Sequence, residues 1–310
     1  MELKEAAQAG DAKPQPSRNP SHGVENIITN RLKGGVGIVR LSPTPKELPP
    51  VHTTVWSFPR RGRWATHRGD YRGNWAPQIP RALISMYTSP GELVLDPMCG
   101  SGTTCIEARL LGRNCICLDI SEEAVKLASS RLEELERAAE LGGEEARGVL
   151  SSWSRAELGD ARKLSLESSS VDLVAAHPPY WRIIKYGRQC KEGDLSCARS
   201  LEEYVSMVRE VAREIYRVLR PGKHAALLVG DTRVRKHYVP LSYHVLKAFL
   251  SEGFLLREEV IKVQHNMRAT KAFWERARRD FLLIYHEKLF VFRKPAGEGE
   301  RRRLALSAKL

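Results

Sequence analysis

The stretch Leu93-Val94-Leu95-Asp96-Pro97-Met98-Cys99-Gly100-Ser101-Gly102-Thr103-Thr104 constrains the fold more than any other part of the chain. Its apolar residues make a short buried strand. Two glycines then let the main chain turn tightly beside a ligand, and the helix begun by Thr103 and Thr104 aims free N–H groups back at that turn. Strand, glycine turn and helix in this order form the first unit of a parallel, helix-covered sheet that binds its ligand at the carboxyl edge. Taken alone, Gly-x-Gly is also a purely structural turn. No Gly-Lys-Ser/Thr follows it and no third glycine stands at the dinucleotide spacing, which argues against the phosphate-cradling versions.

Downstream the pattern alternates helix and strand, as an α/β sheet requires. Pro80–Tyr87 reads as a helix, Cys115–Leu118 as a second strand, and Ser121 as the N-cap of a helix running to about Leu141. Val171–Ala176 is a buried strand. Ser200-Leu201-Glu202-Glu203 is a capping box in front of an amphipathic helix closed by Pro221-Gly222. A strand at Ala225–Val229, a helix at Leu241–Ser251 and strands at Phe254–Val263 and Leu282–Phe292 complete the series, the last two pairing antiparallel. Eight of the 17 prolines precede residue 60, so the first fifty-odd residues are expected to be poor in regular structure. Residues 1–52 are read as an arm, 53–295 as the catalytic domain and 296–310 as a basic tail. The 310 residues carry 50 Lys plus Arg against 37 Asp plus Glu, a net charge of +13 that points to a polyanionic partner. No apolar run is long enough to span a membrane, and the charged start Met1-Glu2-Leu3-Lys4-Glu5 lacks the apolar core of a signal peptide, so a cytoplasmic address is expected. The six cysteines contain no Cys-x-x-Cys pair; they are read as reduced thiols, and no metal is expected.

Asp96, at the end of the first strand, is placed to meet a cationic group such as an amino acid's ammonium. Asp119 ends the second strand where a carboxylate can take two ribose hydroxyls, and Asp160, within Gly159-Asp160-Ala161, is placed for an adenine amino group. An adenosine bearing an amino acid fits this set, and that is S-adenosylmethionine. The strand Val171–Ala176 runs into His177-Pro178-Pro179-Tyr180-Trp181. Two adjacent prolines stiffen the strand end and remove two N–H donors, leaving outward carbonyls, and Tyr180 and Trp181 offer flat surfaces for a planar substrate. Without the upstream site, the same residues would read as a Pro-Pro turn anchored by aromatics.

Together, Asp96-Pro97-Met98-Cys99-Gly100-Ser101-Gly102-Thr103-Thr104 and His177-Pro178-Pro179-Tyr180-Trp181 resemble the exocyclic-amine methyltransferases of nucleic acids, whose signatures are Asp-Pro-Phe-x-Gly-Ser-Gly-Thr-Thr and Ser/Asn/Asp-Pro-Pro-Tyr. The Trp after Tyr resembles the cytosine-N4 branch. Trp56-Ser57-Phe58-Pro59, Arg72-Gly73-Asn74-Trp75, Val229-Gly230-Asp231-Thr232-Arg233 and Gln264-His265-Asn266 resemble members of the DNA methylases, over about Thr53 to Pro295. The resemblance implies a Rossmann-like class I methyltransferase with a mostly parallel seven-stranded sheet, an antiparallel last strand and helices on both faces. It implies S-adenosylmethionine held by Asn74, Trp75, Asp96, Pro97, Met98, Gly100, Ser101, Gly102, Thr103, Thr104, Asp119, Ile120, Asp160 and Ala161, with Asn74 and Trp75 at its methionine end. It also implies that His177, Pro178, Pro179, Tyr180 and Trp181 hold the target base.

His177 stands where the family has Ser, Asn or Asp. In the family that side chain and the following proline carbonyl accept hydrogen bonds from the target amine. A neutral imidazole nitrogen can do the same and a protonated histidine cannot; the alternative is that His177 points away and the Pro178 carbonyl acts with some other group. The expected reaction is transfer to cytosine N4 without a cysteine adduct, because no Pro-Cys dipeptide is present. The base is flipped or already unpaired. Arg63, Arg68, Arg72, Arg182, Lys185, Arg188, Arg268 and Lys271 are candidate phosphate contacts. The segment from Arg31 to Arg81, with Trp56, Phe58, Trp64, Tyr71 and Trp75 among its basic residues, is either a solvated loop, a nucleic-acid surface or a strap pinned to the core. DNA is favoured as substrate; structured RNA, adenine N6 and a silent nucleic-acid-binding protein of the same fold remain the alternatives.

Overall fold

The computed structural model describes residues 28–32, 35–181, 190–265 and 280–310. β1 (Ile28–Leu32) and β2 (Gly35–Val39) pair as an antiparallel hairpin, a correction to the expectation of little regular structure before residue 50. The early prolines stop at Pro20 and resume at Pro43, leaving this stretch free of them. Next come β3 (Val55–Ser57), α1 (Gln78–Tyr87), β4 (Leu93–Asp96), α2 (Thr103–Leu110), β5 (Asn114–Asp119) and α3 (Glu122–Glu140). α4 (Arg147–Leu150), β6 (Ser154–Leu158), β7 (Val171–Ala176), α5 (Leu201–Val218) and β8 (Leu219–Val229) follow. The small hairpin β9 (Thr232–Val234) and β10 (His237–Val239), then α6 (Leu241–Ser251), β11 (Leu255–Val263), β12 (His286–Arg293) and α7 (Glu298–Arg303) complete the described chain. The helix starts are as the sequence requires: the Ser121 hydroxyl accepts from Ala124 N–H and the Ser200 hydroxyl from Glu203 N–H.

The main sheet has the order β3-β11-β12-β8-β7-β4-β5-β6. β12 runs antiparallel to both β11 and β8, and the other seven strands share one direction. The sheet is therefore mostly parallel with its last strand reversed, as expected, but with eight strands instead of seven. The extra one is β3, held on β11 by Ile261 N–H donating to Thr54 O at 2.7 Å and by the buried Trp56. Alternating residues of the central strands feed two cores. Val174, Leu227 and Phe290 join a core with α5 and α6, while Leu173, Ala175 and Leu228 join one with α1, α2 and α3. Both faces are thereby covered, which is why β7 is buried along its whole length.

Two cysteine pairs form disulfides, Cys105–Cys115 between α2 and β5 and Cys190–Cys197 in the loop before α5, with Cα separations of 5.3 and 5.8 Å. The reading of all six as reduced thiols is corrected to two, Cys99 and Cys117. No described helix is long and apolar enough to cross a membrane.

The segment between β3 and α1 is pinned to the core by one carboxylate. Glu107 of α2, fully buried, accepts from Trp64 Nε1 and His67 Nε2, each at 2.6 Å, and pairs with Arg81 Nη1 at 2.9 Å. Burial lowers the His67 pKa, so its imidazole is neutral and donates. Trp56, Phe58, Trp64 and Trp75 are all buried here, which settles these aromatics as anchors. Replacing Glu107 with Ala leaves a guanidinium, an indole N–H and an imidazole N–H without their acceptor; we expect a loss of about 3–5 kcal/mol, read as a lower urea midpoint at constant slope.

Candidate active site

From β4 the chain moves outward through β5 and β6, then returns on the other side of β4 as β7. This reversal opens a crevice at the carboxyl ends of β4 and β7. Leu95 pairs with Val174, so Asp96 and the glycine turn leave the sheet beside His177 and the prolines. The two motifs, about eighty residues apart in sequence, meet in one cleft.

Nine of the residues assigned to the cofactor line this cleft: Asn74, Trp75, Asp96, Pro97, Met98, Gly100, Asp119, Ile120 and Ala161. Gly100 and Gly102 sit at φ +51° and +80°, backbone that side-chain-bearing residues rarely adopt. At Gly100 a Cβ would come within 2.7 Å of the Tyr71 ring. Asp119 accepts from Gly100 N–H through Oδ2 and from Ser121 N–H through Oδ1, both at 2.9 Å. A second lone pair on each oxygen is left for donors in the cleft. Asp96 is buried, accepting from Met98 N–H at 3.2 Å and from the Thr104 hydroxyl. Burial pushes its pKa up to about 7, against the pull of those two hydrogen bonds. Burial likewise raises that of Asp119. An acid held this way is suited to a cation arriving in the cleft, and a neighbouring acid with spare lone pairs is suited to hydroxyls.

The remaining assignments fall behind the cleft wall. The Ser101 and Thr103 hydroxyls donate to Asn74 Oδ1 at 2.7 and 2.8 Å. Arg61 Nη1 donates to the carbonyls of Asn74 and Trp75. Thr104 is held by Asp96, and Gly102 packs against Ala128, where a Cβ would meet Cα at 3.3 Å. These residues shape the turn and fasten the Asn74–Trp75 segment to it. Asp160, expected at an adenine amine, is instead clasped by Arg162, with Nη2 at 2.8 Å from Oδ2, and its neighbour Ala161 lines the cleft. Gly73, Lys191, Gly193, Asp194 and Leu195 also line it and were not among the expected cofactor residues, although Gly73 stands inside the Arg72-Gly73-Asn74-Trp75 motif. Four of them belong to the loop carrying the Cys190–Cys197 disulfide, where Lys191 Nζ donates to Ile120 O at 3.3 Å.

At the double-proline corner, His177 and Pro179 line the cleft. The His177 ring stacks on Trp75, centroids 6.0 Å apart and planes at 20°. Its Nε2 lies 2.6 Å from Tyr180 Oη, and its Nδ1 is buried, with the Gly73 backbone beside the ring. Burial lowers the His177 pKa, with Lys262 and Arg61 acting in the same sense and Glu287 and the nearby Gly73 carbonyl opposing, so the ring is neutral. Tyr180 and Trp181 do not line the cleft: Tyr180 packs over Gly230 and donates to Glu287 Oε1 at 2.8 Å, and Trp181 Nε1 donates to Ala198 O at 3.0 Å. The expectation of unpartnered carbonyls is corrected at Pro179, whose oxygen accepts from Tyr204 Oη at 3.2 Å. Of the candidate phosphate contacts, Arg63 and Arg72 are exposed, whereas Arg68 grips both oxygens of Glu134 at 2.7 and 2.6 Å. Arg182, Lys185, Arg188, Arg268 and Lys271 lie outside the described residues.

The family model for DNA methylases matches residues 11–130 and 171–303, well over half of the chain, and a general methyltransferase-domain model matches residues 95–178. The chain belongs to the DNA methylase family, a class of S-adenosylmethionine-dependent methyltransferases that act on exocyclic amines. Among individual proteins it is similar to the type II methyltransferase M.SmaI of Serratia marcescens, 35% identical over 77 residues, 24% of this chain and 26% of that one. It is also similar to the type II methyltransferase M.ScaI of Streptomyces caespitosus, 36% identical over 85 residues, 26% and 28% of the two chains. A third relative is the DNA adenine methyltransferase YhdJ of Escherichia coli K12, 35% identical over 95 residues, 29% and 31% of the two chains. The matched stretch spans between a quarter and a third of each relative.

With Asp96 titrating near 7, the carboxylate an ammonium needs is mostly protonated at pH 6 and mostly ionised at pH 7.5. Affinity for S-adenosylmethionine should therefore rise by up to about tenfold across that interval. Calorimetric titration at several pH values checks this, and Asp96→Asn should bind weakly with the slope removed.

Proposed function

We propose that this protein transfers a methyl group from S-adenosylmethionine to the exocyclic N4 amine of cytosine in DNA. The observation that carries the reading is that the glycine turn with Asp96 and Asp119 and the double-proline corner with His177 line one cleft. His177 presents a neutral ring to this cleft, where Asp96 and Asp119 suit an ammonium and a ribose.

When bound, the cofactor supplies an electrophilic methyl, whose bond to sulfur breaks with its electron pair left on sulfur as the new nitrogen–carbon bond forms. Asp96 would hold the ammonium, Asp119 the ribose hydroxyls, and Trp75 the methionine end beside His177. The amine lone pair of cytosine is delocalised into the ring and is a poor nucleophile. By accepting its N–H hydrogens, the corner formed by His177 and the Pro178 carbonyl would favour a more tetrahedral nitrogen and stabilise the positive charge that develops on it. A neutral imidazole is also a base able to receive the proton that the methylated amine gives up. The stiff proline corner keeps this acceptor in place, and positioning of that kind supplies much of the rate. The amine is hidden in a duplex, so the base must swing out before it reaches the cleft. The Trp that follows Pro-Pro-Tyr supports cytosine. Transfer to adenine N6 is the second reading, favoured by the similarity to a DNA adenine methyltransferase.

Incubation with tritiated S-adenosylmethionine and separate DNA and RNA pools, followed by nucleoside analysis, tests the proposal. Label in N4-methyldeoxycytidine is the expected outcome. Label on adenine overturns the choice of base, label in RNA alone overturns the choice of polymer, and label in neither overturns the reaction. His177→Ala should lower kcat by roughly 10²–10³-fold, the usual cost of a lost transition-state hydrogen bond, while cofactor affinity stays within about twofold.

A further inference from the structure

The reaction argued above makes no use of the Cys190–Cys197 bond, yet that bond closes the loop that supplies Lys191, Gly193, Asp194 and Leu195 to the cleft. The loop runs beside the residues assigned to the adenosine half of the cofactor. Lys191 Nζ donates to Ile120 O at 3.3 Å, and Gly193 lies so close to Asp160 that a Cβ would come within 2.6 Å of its Oδ2. The two halves of the loop are held differently. From Gly193 to Ser196 the chain is buried: Leu195 enters the core with α5, and Asp194 Oδ1 accepts from the N–H and the hydroxyl of Ser196 at 2.9 and 2.6 Å. Cys190, Lys191 and Glu192 are exposed. Among the described residues, this half is fastened by the Lys191 bond to Ile120, by the Lys191 carbonyl accepting from Asp194 N–H at 3.2 Å, and by the disulfide.

The two disulfides also differ in access. Cys105 and Cys115 are fully buried, whereas Cys190 is exposed and Cys197 partly so. A small dithiol reductant therefore reaches the second bond and not the first. We propose that the Cys190–Cys197 bond is a redox control on cofactor binding: closed, it holds the exposed half of the loop as a wall of the cleft, and opened by a dithiol it releases that wall and weakens the hold on S-adenosylmethionine. The proposal rests on the function argued above, because it assigns the regulation of the same cofactor site. One reductant sulfur, as thiolate, attacks a sulfur of the bond, which breaks with its electron pair on the other cysteine, and that cysteine takes up a proton. The reductant's second thiol then displaces the remaining cysteine from the mixed disulfide. The protein gains two electrons and two protons, and the reductant leaves as a cyclic disulfide. Asp194 Oδ2 stands 3.5 Å from Cys197 Sγ, near enough to accept from the thiol that forms, so reduction also engages a carboxylate on the cleft wall. Without the closed bond the segment explores more conformations, and the cofactor must order it on binding.

Calorimetric titration of S-adenosylmethionine into protein oxidised with glutathione disulfide, and into protein treated with dithiothreitol, tests this. Alkylation and mass spectrometry report each cysteine in the same samples. We expect Cys190 and Cys197 to be blocked in the first sample and alkylated in the second, Cys105 and Cys115 to be blocked in both, and affinity to be weaker by about tenfold after reduction. Reoxidation should restore the affinity, a recovery that a general loss of structure would not give. Cys190→Ser should bind as the reduced protein does and ignore dithiothreitol. Equal affinity in the two samples, with Cys190 and Cys197 shown to have changed, overturns the proposal. Free Cys190 and Cys197 thiols in the oxidised sample overturn it too, as does Cys190→Ser binding as tightly as the oxidised wild type. Should Cys190→Ser fail to fold, the reduced and reoxidised wild type still decide. Absence of binding in both samples refutes the cofactor site itself, a failure distinct from equal binding in both.

Discussion

The parallel pairing of β4 with β7 is the constraint on which the rest depends. Both strands are covered on two faces, and their register puts Leu95 beside Val174. A slip of one residue would turn every side chain of β7 to the opposite face and exchange its two cores. Such a slip would also move the glycine turn relative to the proline corner. The chemistry of the cleft is thus specified by packing well below it: apolar burial fixes the register, and the register brings a cofactor turn and a base-holding corner to one edge. Asp172 is the polar exception within β7. It accepts from Leu93 N–H at 3.0 Å and pairs with Arg220 at 2.7 Å, tying β7 to the start of β4 and the start of β8 at the end remote from the cleft.

A second dependence runs through buried carboxylates. Glu107, Asp96 and Glu287 are all buried, yet their partners differ, and for Asp96 and Glu287 burial opposes ionisation with different outcomes. Glu107 has a guanidinium and two N–H donors. Glu287 has an ammonium and a phenol, which hold it ionised. Asp96 has only a hydroxyl and one backbone N–H, and its pKa stands near 7. The unbalanced one is the residue that lines the cleft. Glu107 and Glu287 are supplied with cations from within the chain, whereas Asp96 has no cationic partner among the described residues.

Much of this was legible in the sequence because the signals are local. The strand, glycine turn and helix around Gly100, the caps at Ser121 and Ser200, and the apolar runs of β4, β7 and β11 each depend on residues within a few positions. The eighth strand was not, because β3 is three residues long and is fixed by Trp56 reaching the core and by a backbone bond to Ile261. The disulfides were not either, since spacings of ten and seven residues carry no pairing rule. Within the site, Asn74, Asp96 and Asp119 were readable from motif and strand ends. Lys191, Asp194 and Leu195 come from an irregular loop whose path no periodicity reveals. Glu287 stands 107 residues from its partner Tyr180, and nothing in the pattern of β12 marks it as different from any charged residue near a strand end.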